Sequence, residues 1–247
     1  MRDYVSNRIA HINRRFIKKA AFADPTDDVP GYKSMDELCK DLDGLINIIW
    51  LSGTRTSRPA LDVPFPNYST ASLQIPYFLS IASELNTWLP SFPPSPKETL
   101  SILRKLDHCF ASLLAGEDAD TKEPLPGFEN GTRLAGMSRT HMVRCKSTVQ
   151  DARMVVMNVL GKEQEEEEEE EEDGETEEAH GNNGSDSEDD GPMDWDRIAP
   201  KQKQQRETRE DEEQHLDMAR VYEKTIVQLG IALADGEIPG DIQISDD

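Results

Sequence analysis

Apolar residues recur every three or four positions along most of this chain, and period-two alternation never lasts long enough to make a strand. Residues 4 to 21 place Val5, Ile9, Ile12, Phe16 and Ala20 on one helical stripe, with Arg8, Arg14, Arg15, Lys18 and Lys19 around the remainder. Ser34 and Glu37 form an S-x-x-E capping box, in which each side chain satisfies an amide of the first turn. The helix they open runs through Leu38, Leu42, Leu45, Ile46 and Ile49 and stops near Gly53. A third helix spans about Ser72 to Leu89 on a stripe of Leu73, Tyr77, Ile81, Leu85 and Trp88. Pro76 fits it only near the first turn, where a missing amide hydrogen costs little. Ser95-Pro96-Lys97-Glu98 is the strongest local signal, with Ser95 as N-cap, Pro96 at the first helical position and Glu98 at the third. Leu100, Leu103, Leu106, Phe110, Leu113 and Leu114 carry this fourth helix to Gly116.

A fifth helix is expected from about Ser138 to Leu160, burying Met142, Cys145, Val149, Ala152, Val156 and Val159, with Gly161 as its C-cap. The last covers roughly Gln204 to Asp235 and returns the stripe at Leu216, Ala219, Tyr222, Ile226, Leu229 and Leu233. Its basic front end (Lys201, Lys203, Arg206, Arg209) opposes the helix macrodipole. Amphipathic helices without strands imply an all-α fold, most simply an antiparallel helical bundle of about five to six helices.

Between these elements lie two proline-bearing loops, 54 to 70 and 116 to 136, and one segment of different character. Residues 161 to 196 hold most of the acid excess, including an unbroken run of eight glutamates from Glu165 to Glu172. The chain carries 49 acids against 27 bases, a net charge of −22. Outside that segment it is close to neutral. Such a run cannot bury apolar surface to offset ordering entropy, so an internal disordered acidic spacer is expected, and like charges four residues apart oppose a helical continuation. The predicted organisation is a basic amphipathic helix and linker (1–28), a bundle (29–160), the spacer (161–200), a C-terminal helix docking back on the bundle (201–236) and an acidic tail (237–247).

Charge and cysteine usage narrow the function classes. The longest apolar run, Leu45 to Leu51, is broken by Asn47 and is far below the roughly 18 residues of a membrane span. Cys39, Cys109 and Cys145 are isolated, which predicts reduced thiols and no zinc site. The N-terminal helix is expected to pack on the body. An Arg-rich, acid-poor stretch also suits a mitochondrial transit peptide, a nuclear localisation signal or an anionic-surface contact.

Candidate chemistry is sparse. No G-x-x-x-x-G-K-[ST], G-x-G-x-x-G or H-E-x-x-H occurs. His141 and Cys145 are four apart and could share a helix face, which gives at most two metal ligands. His108 and Cys109 point in different directions, and Asp107 beside Arg104 and Lys105 reads as an ordinary helix surface. The acidic segment is the distinctive feature. Dense carboxylates repel nucleic acid and attract Lys/Arg-rich proteins such as histones or ribosomal proteins, with Glu165, Glu168, Glu172 and Asp173 as the contact residues. Ser185 and Ser187, in Ser-Asp-Ser-Glu-Asp-Asp, suit an acidophilic kinase, and phosphate would deepen the charge.

The stretches Val29-Pro30-Gly31-Tyr32, Trp50-Leu51-Ser52-Gly53, Ser72-Leu73-Gln74-Ile75-Pro76-Tyr77, Leu89-Pro90-Ser91-Phe92-Pro93-Pro94-Ser95-Pro96 and Leu103-Arg104-Lys105-Leu106-Asp107-His108 carry a family resemblance. They resemble an uncharacterised family of small helical proteins from filamentous fungi, over most of residues 29 to 160. Some members carry a meiotic recombinase name, but the Walker A loop of that ATPase is missing here. The resemblance transfers no catalytic residue and makes 54 to 70 look like an insertion. The reading is a non-enzymatic helical interaction protein without cofactor, nuclear or nucleocytoplasmic, whose acidic segment contacts basic partners. The alternative is a recombination- or chromatin-associated factor acting within a larger assembly.

Overall fold

In a computed structural model, residues 2–19, 29–54, 71–126, 128, 136–175 and 213–234 are described. Their elements are α1 (Arg2–Lys18), α2 (Met35–Thr54), α3 (Ala71–Trp88), a single 3-10 turn (Leu89–Ser91), α4 (Pro96–Ala115), α5 (Arg139–Glu175), α6 (213–219) and α7 (Glu223–Ala234). Among the described residues the only β pairing is an isolated bridge between Glu117 and Pro124. The expected all-α bundle is the observed fold.

One apolar cluster joins the helices, from Val5 and Ile12 of α1 to Leu229 of α7. α3 packs on α2, α4 and α5, while α4 lies between α2 and α7. That central position changes the face α3 buries. Leu73 and Tyr77 of the expected stripe are only half-buried, and Ile75, Phe78, Leu79 and Ala82 join Ile81, Leu85 and Trp88 in the core. A helix covered on several sides buries more than one stripe. Phe78 meets Phe110 edge-on at 6.3 Å, and Phe110 meets Tyr222 at 6.2 Å, so one aromatic line ties α3, α4 and the α6–α7 junction together.

The basic helix α1 belongs to this body. Val5 and Ile12 are fully buried, and the exposed side of the contact is ionic. Asp41 of α2 accepts from Arg8 (2.7 Å), Arg15 (2.8 Å) and the Tyr32 hydroxyl (2.7 Å), while the Arg15 guanidinium lies 4.0 Å over the Tyr32 ring. The packing expected of this stripe is what holds it. Ala20 lies outside the described residues.

Helix ends follow the sequence with three corrections. Ser95 is the N-cap of α4, but its hydroxyl bonds the Asp36 carboxylate at 2.5 Å instead of capping its own helix. Glu37 reaches back to the Lys33 amide at 3.3 Å, one residue earlier than the expected box, and also meets Arg15. Gly161 does not end α5, whose backbone stays helical to Glu175. At Gly116 the expectation holds: its φ of +78° suits glycine, and it closes α4 by donating to the Ser112 carbonyl at 2.8 Å. The loop 55–70 lies outside the described residues.

The predicted last helix is two helices. Residues 220–222 form a turn, and Tyr222 takes a left-handed backbone at φ +58°. The break shifts the phase of the buried face. Met218, Val221, Tyr222, Thr225 and Leu229 are buried, whereas Leu216 and Ile226, expected inside, are 49% and 36% exposed.

Phe110 is fully buried at the centre of the aromatic line. Phe110→Ala should lower unfolding stability by about 3–5 kcal/mol, and Leu103→Ala by about 2–5 kcal/mol, in urea titration. Wild-type midpoints in both variants would contradict the packing described.

Candidate functional site

The functional geometry of the described residues concentrates where α4 receives the C-terminal helices. Tyr222 precedes α7 and carries no short polar side chain to cap it. The first amides of α7 therefore need an acceptor from elsewhere. Asp107 of α4 supplies it. Its Oδ1 accepts from the Thr225 amide at 2.8 Å and the Thr225 hydroxyl at 2.6 Å, and its Oδ2 from the Lys224 amide at 3.3 Å. The Thr225 hydroxyl also lies 3.2 Å from the Asp107 carbonyl oxygen. A carboxylate at a helix N-terminus gains both hydrogen bonds and the helix dipole. Asp107 is 7% exposed and Thr225 fully buried, so the join is largely removed from water. The surface reading of Asp107 is thus corrected. It occupies the buried face of α4, four residues after Leu103.

Around this join lies a cleft of about 480 Å³, lined among others by Arg104, His108, Asp120, Asp217, Arg220 and Lys224. Its rim carries two ion pairs across chain-distant elements, Arg104 with Asp217 and Lys224 with Asp120 at 2.6 Å, while Lys105, the next residue of α4 after Arg104, pairs with Asp43 of α2. His108 sits between the carboxylates of the following loop. Its Nε2 is 3.3 Å from Asp118, and its Nδ1 is 3.2 Å from Asp120 but in a geometry that makes no hydrogen bond. The Trp50 ring meets the His108 ring edge-on at 5.3 Å.

Two carboxyl groups of this loop titrate low. Burial works to raise Asp118, but the Thr121 and Asp120 amides, bonded at 2.9 and 3.0 Å, and the neighbouring His108 outweigh it. The Lys224 hydrogen bond holds Asp120 below its ordinary value. The cysteines behave as buried hydrophobes. Burial pushes Cys39, Cys109 and Cys145 up to about 12, so none is poised as a nucleophile at neutral pH. Cys145 is fully buried, whereas His141 is only half-buried. Among the described residues no cluster of three or more His, Cys, Asp or Glu could hold a metal ion. No described helix is long and apolar enough to cross a membrane.

The residues singled out from sequence lie elsewhere. Glu165, Glu168, Glu172 and Asp173 fall on the distal part of α5, beyond Leu160, the last residue of that helix in the common core. Ser185 and Ser187 lie outside the described residues. Sequence reasoning missed Asp107 as a cap, although a charged residue flanked by Leu103, Leu106 and Phe110 on one helical face was a usable signal.

The site and fold together define a small all-helical protein that closes its own core with a C-terminal helix pair captured by a buried carboxylate. The chain belongs to the TFB6 family, described as subunit 11 of the general transcription factor TFIIH, whose profile matches residues 31–230. No curated protein and no solved structure matches it. The family match confirms a small helical family and carries neither the fungal origin nor the recombinase name of the resemblance.

Removing the Asp107 carboxylate leaves two amides and a hydroxyl without their buried acceptor. Asp107→Ala should cost about 1–3 kcal/mol and raise amide hydrogen exchange in residues 223–229 well before the rest of the bundle. Thr225→Val should give a smaller loss at the same place. Exchange unchanged over α7 in both variants would contradict the cap. The low-titrating Asp118 and Asp120 set a pH dependence. Their contribution is complete above the ordinary carboxylate value of 3.8 and disappears as pH falls through their lower folded values. Asp118→Asn should therefore flatten the stability profile below about pH 4, read by thermal melts across pH.

Proposed function

We propose that the chain is a non-catalytic subunit of a TFIIH-type transcription assembly in the nucleus, with its acidic stretch making secondary contacts to basic proteins. The family match carries this reading, because its bounds, residues 31–230, run from ahead of α2 into α7. It therefore includes both sides of the Asp107–Thr225 join and the acidic segment between them. The mixed-charge rim formed by Arg104, Asp217, Asp120 and Lys224 supports a protein-contact role, since paired charges at a surface set register and orientation between partners. The run Glu165–Glu172 adds a sequence-tolerant attraction for lysine- and arginine-rich surfaces such as histones, and phosphate on Ser185 or Ser187 would strengthen it. The nuclear reading is preferred to a mitochondrial one because Val5 and Ile12 of α1 pack in the core and its Arg8 and Arg15 pair with Asp41.

Affinity purification of the tagged full chain from nuclear extract tests both parts. Subunits of TFIIH should co-purify in stoichiometric amounts and persist at raised salt. Histone recovery should fall steeply as ionic strength shortens the screening length below about 8 Å, and fall again on deleting residues 163–190. Absence of TFIIH subunits would overturn the assembly reading. Equal histone binding by intact and deleted chains at low salt would overturn the acidic contact.

A further inference from the structure

Residues 213–234 carry two patterns that one conformation cannot satisfy. Along the sequence, Leu216, Ala219, Tyr222, Ile226, Leu229 and Leu233 fall at spacings of three and four on one face of a single helix. In the fold, the turn at 220–222 splits that helix into α6 and α7. The split leaves Leu216 and Ile226 exposed and buries Met218, Val221 and Thr225 instead. Local pattern and tertiary placement therefore conflict within this one segment.

The conflict has a cost at Tyr222. A bulky side chain disfavours the left-handed backbone that φ +58° imposes. Its hydroxyl is buried without a hydrogen-bond partner among the described residues, so its desolvation is not repaid. The backbone bonds show what the break exchanges. In a continuous helix the amides of Glu223, Lys224 and Thr225 donate to the carbonyls of Ala219, Arg220 and Val221. Here the Glu223 amide turns to the Arg220 carbonyl at 3.0 Å, and the Ala219 carbonyl accepts from Arg153 of α5 at 3.3 Å. The Lys224 and Thr225 amides go to Asp107. Each tie to the bundle thus replaces a bond that the helix can make with itself.

We propose that residues 213–234 are a two-state helix, broken when docked and continuous when released, which covers and uncovers the side of α4 on which α7 packs. This does not rest on the assembly reading. On release, the Lys224 and Thr225 amides take the Arg220 and Val221 carbonyls, Tyr222 returns to a right-handed backbone and its hydroxyl reaches water. Release gives up docking contacts but no backbone hydrogen bond. Asp107 and Arg153 hold the docked form, and the strain at Tyr222 opposes it. Opposed contributions of this kind keep two conformations close in free energy, which is what a switch requires.

Double electron–electron resonance on the full chain, with spin labels at Glu213→Cys and Ala234→Cys, reads the two states. Both positions are exposed, and the native thiols are buried and do not compete. A continuous helix sets the labelled positions about 31 Å apart, at roughly 1.5 Å per residue, and the break shortens that distance. Asp107→Ala should bring up the long distance with helix content kept in circular dichroism. In that background Tyr222→Phe, which keeps the ring against Phe110 and removes only the unpaired hydroxyl, should lower the long-to-short ratio by about tenfold. Arg220→Gly, exposed in the turn, should lower it by about fivefold through its poorer helix propensity. Arg153→Ala should raise it. No long distance after Asp107→Ala, a fall in helix content showing that the released segment melts, or a ratio that Tyr222→Phe and Arg220→Gly leave unchanged would each overturn the proposal.

Discussion

The structure depends on one carboxylate. Asp107 accepts three hydrogen bonds from the start of α7, and that helix has no cap of its own because Tyr222 precedes it in a left-handed turn. Remove that acceptor and the amides of α7 must be satisfied by water, which the buried position of Thr225 does not allow. Docking then packs α7 along α4, with Tyr222 just before it seated against Phe110. The polar join fixes where the helix starts; the apolar contacts supply most of the burial. Neither does the work of the other, since hydrophobic contact alone is non-directional.

Charge is used twice in opposite ways. Within the bundle, acids and bases are matched across elements far apart in sequence, as in Asp41 with Arg8 and Arg15 or Asp120 with Lys224. Such matched pairs select one arrangement of helices over its neighbours, and the solvent-exposed ones among them contribute little stability each. The acid excess is gathered elsewhere along the chain, in residues 161 to 196, which hold 19 acids and one base.

Much of the fold was legible in the sequence. Leu100, Leu103, Leu106 and Phe110 recur at helical spacing, Pro96 marks a first turn and Gly116 an end, and each feature reports a local rule that tertiary contacts did not override. The failures share a different cause. Ser95 gave its hydroxyl to Asp36, Gly161 was passed over, and the last helix broke at Tyr222, each through contacts or geometry that local pattern does not encode. Leu216 and Ile226 were placed inside because an unbroken helix fixes their phase, and the turn at 220–222 removes that assumption. The Asp107 site was the least legible. Its partner lies 118 residues away, and no spacing rule reaches that far.

That separation also sets a timetable. A ribosome adding about 5–20 residues per second needs roughly 6–24 s to travel from Asp107 to Thr225. Throughout that interval α4 has been made, its aromatic face has no cover, and Asp107 has nothing to accept from except water. The nascent chain must wait with an open hydrophobic trough, and the long glutamate run emerges inside the same window. Strong like charge is an effective barrier to collision between unfinished chains. The acidic segment therefore comes off the ribosome just when the trough needs shielding, between the helix that forms it and the helix that fills it.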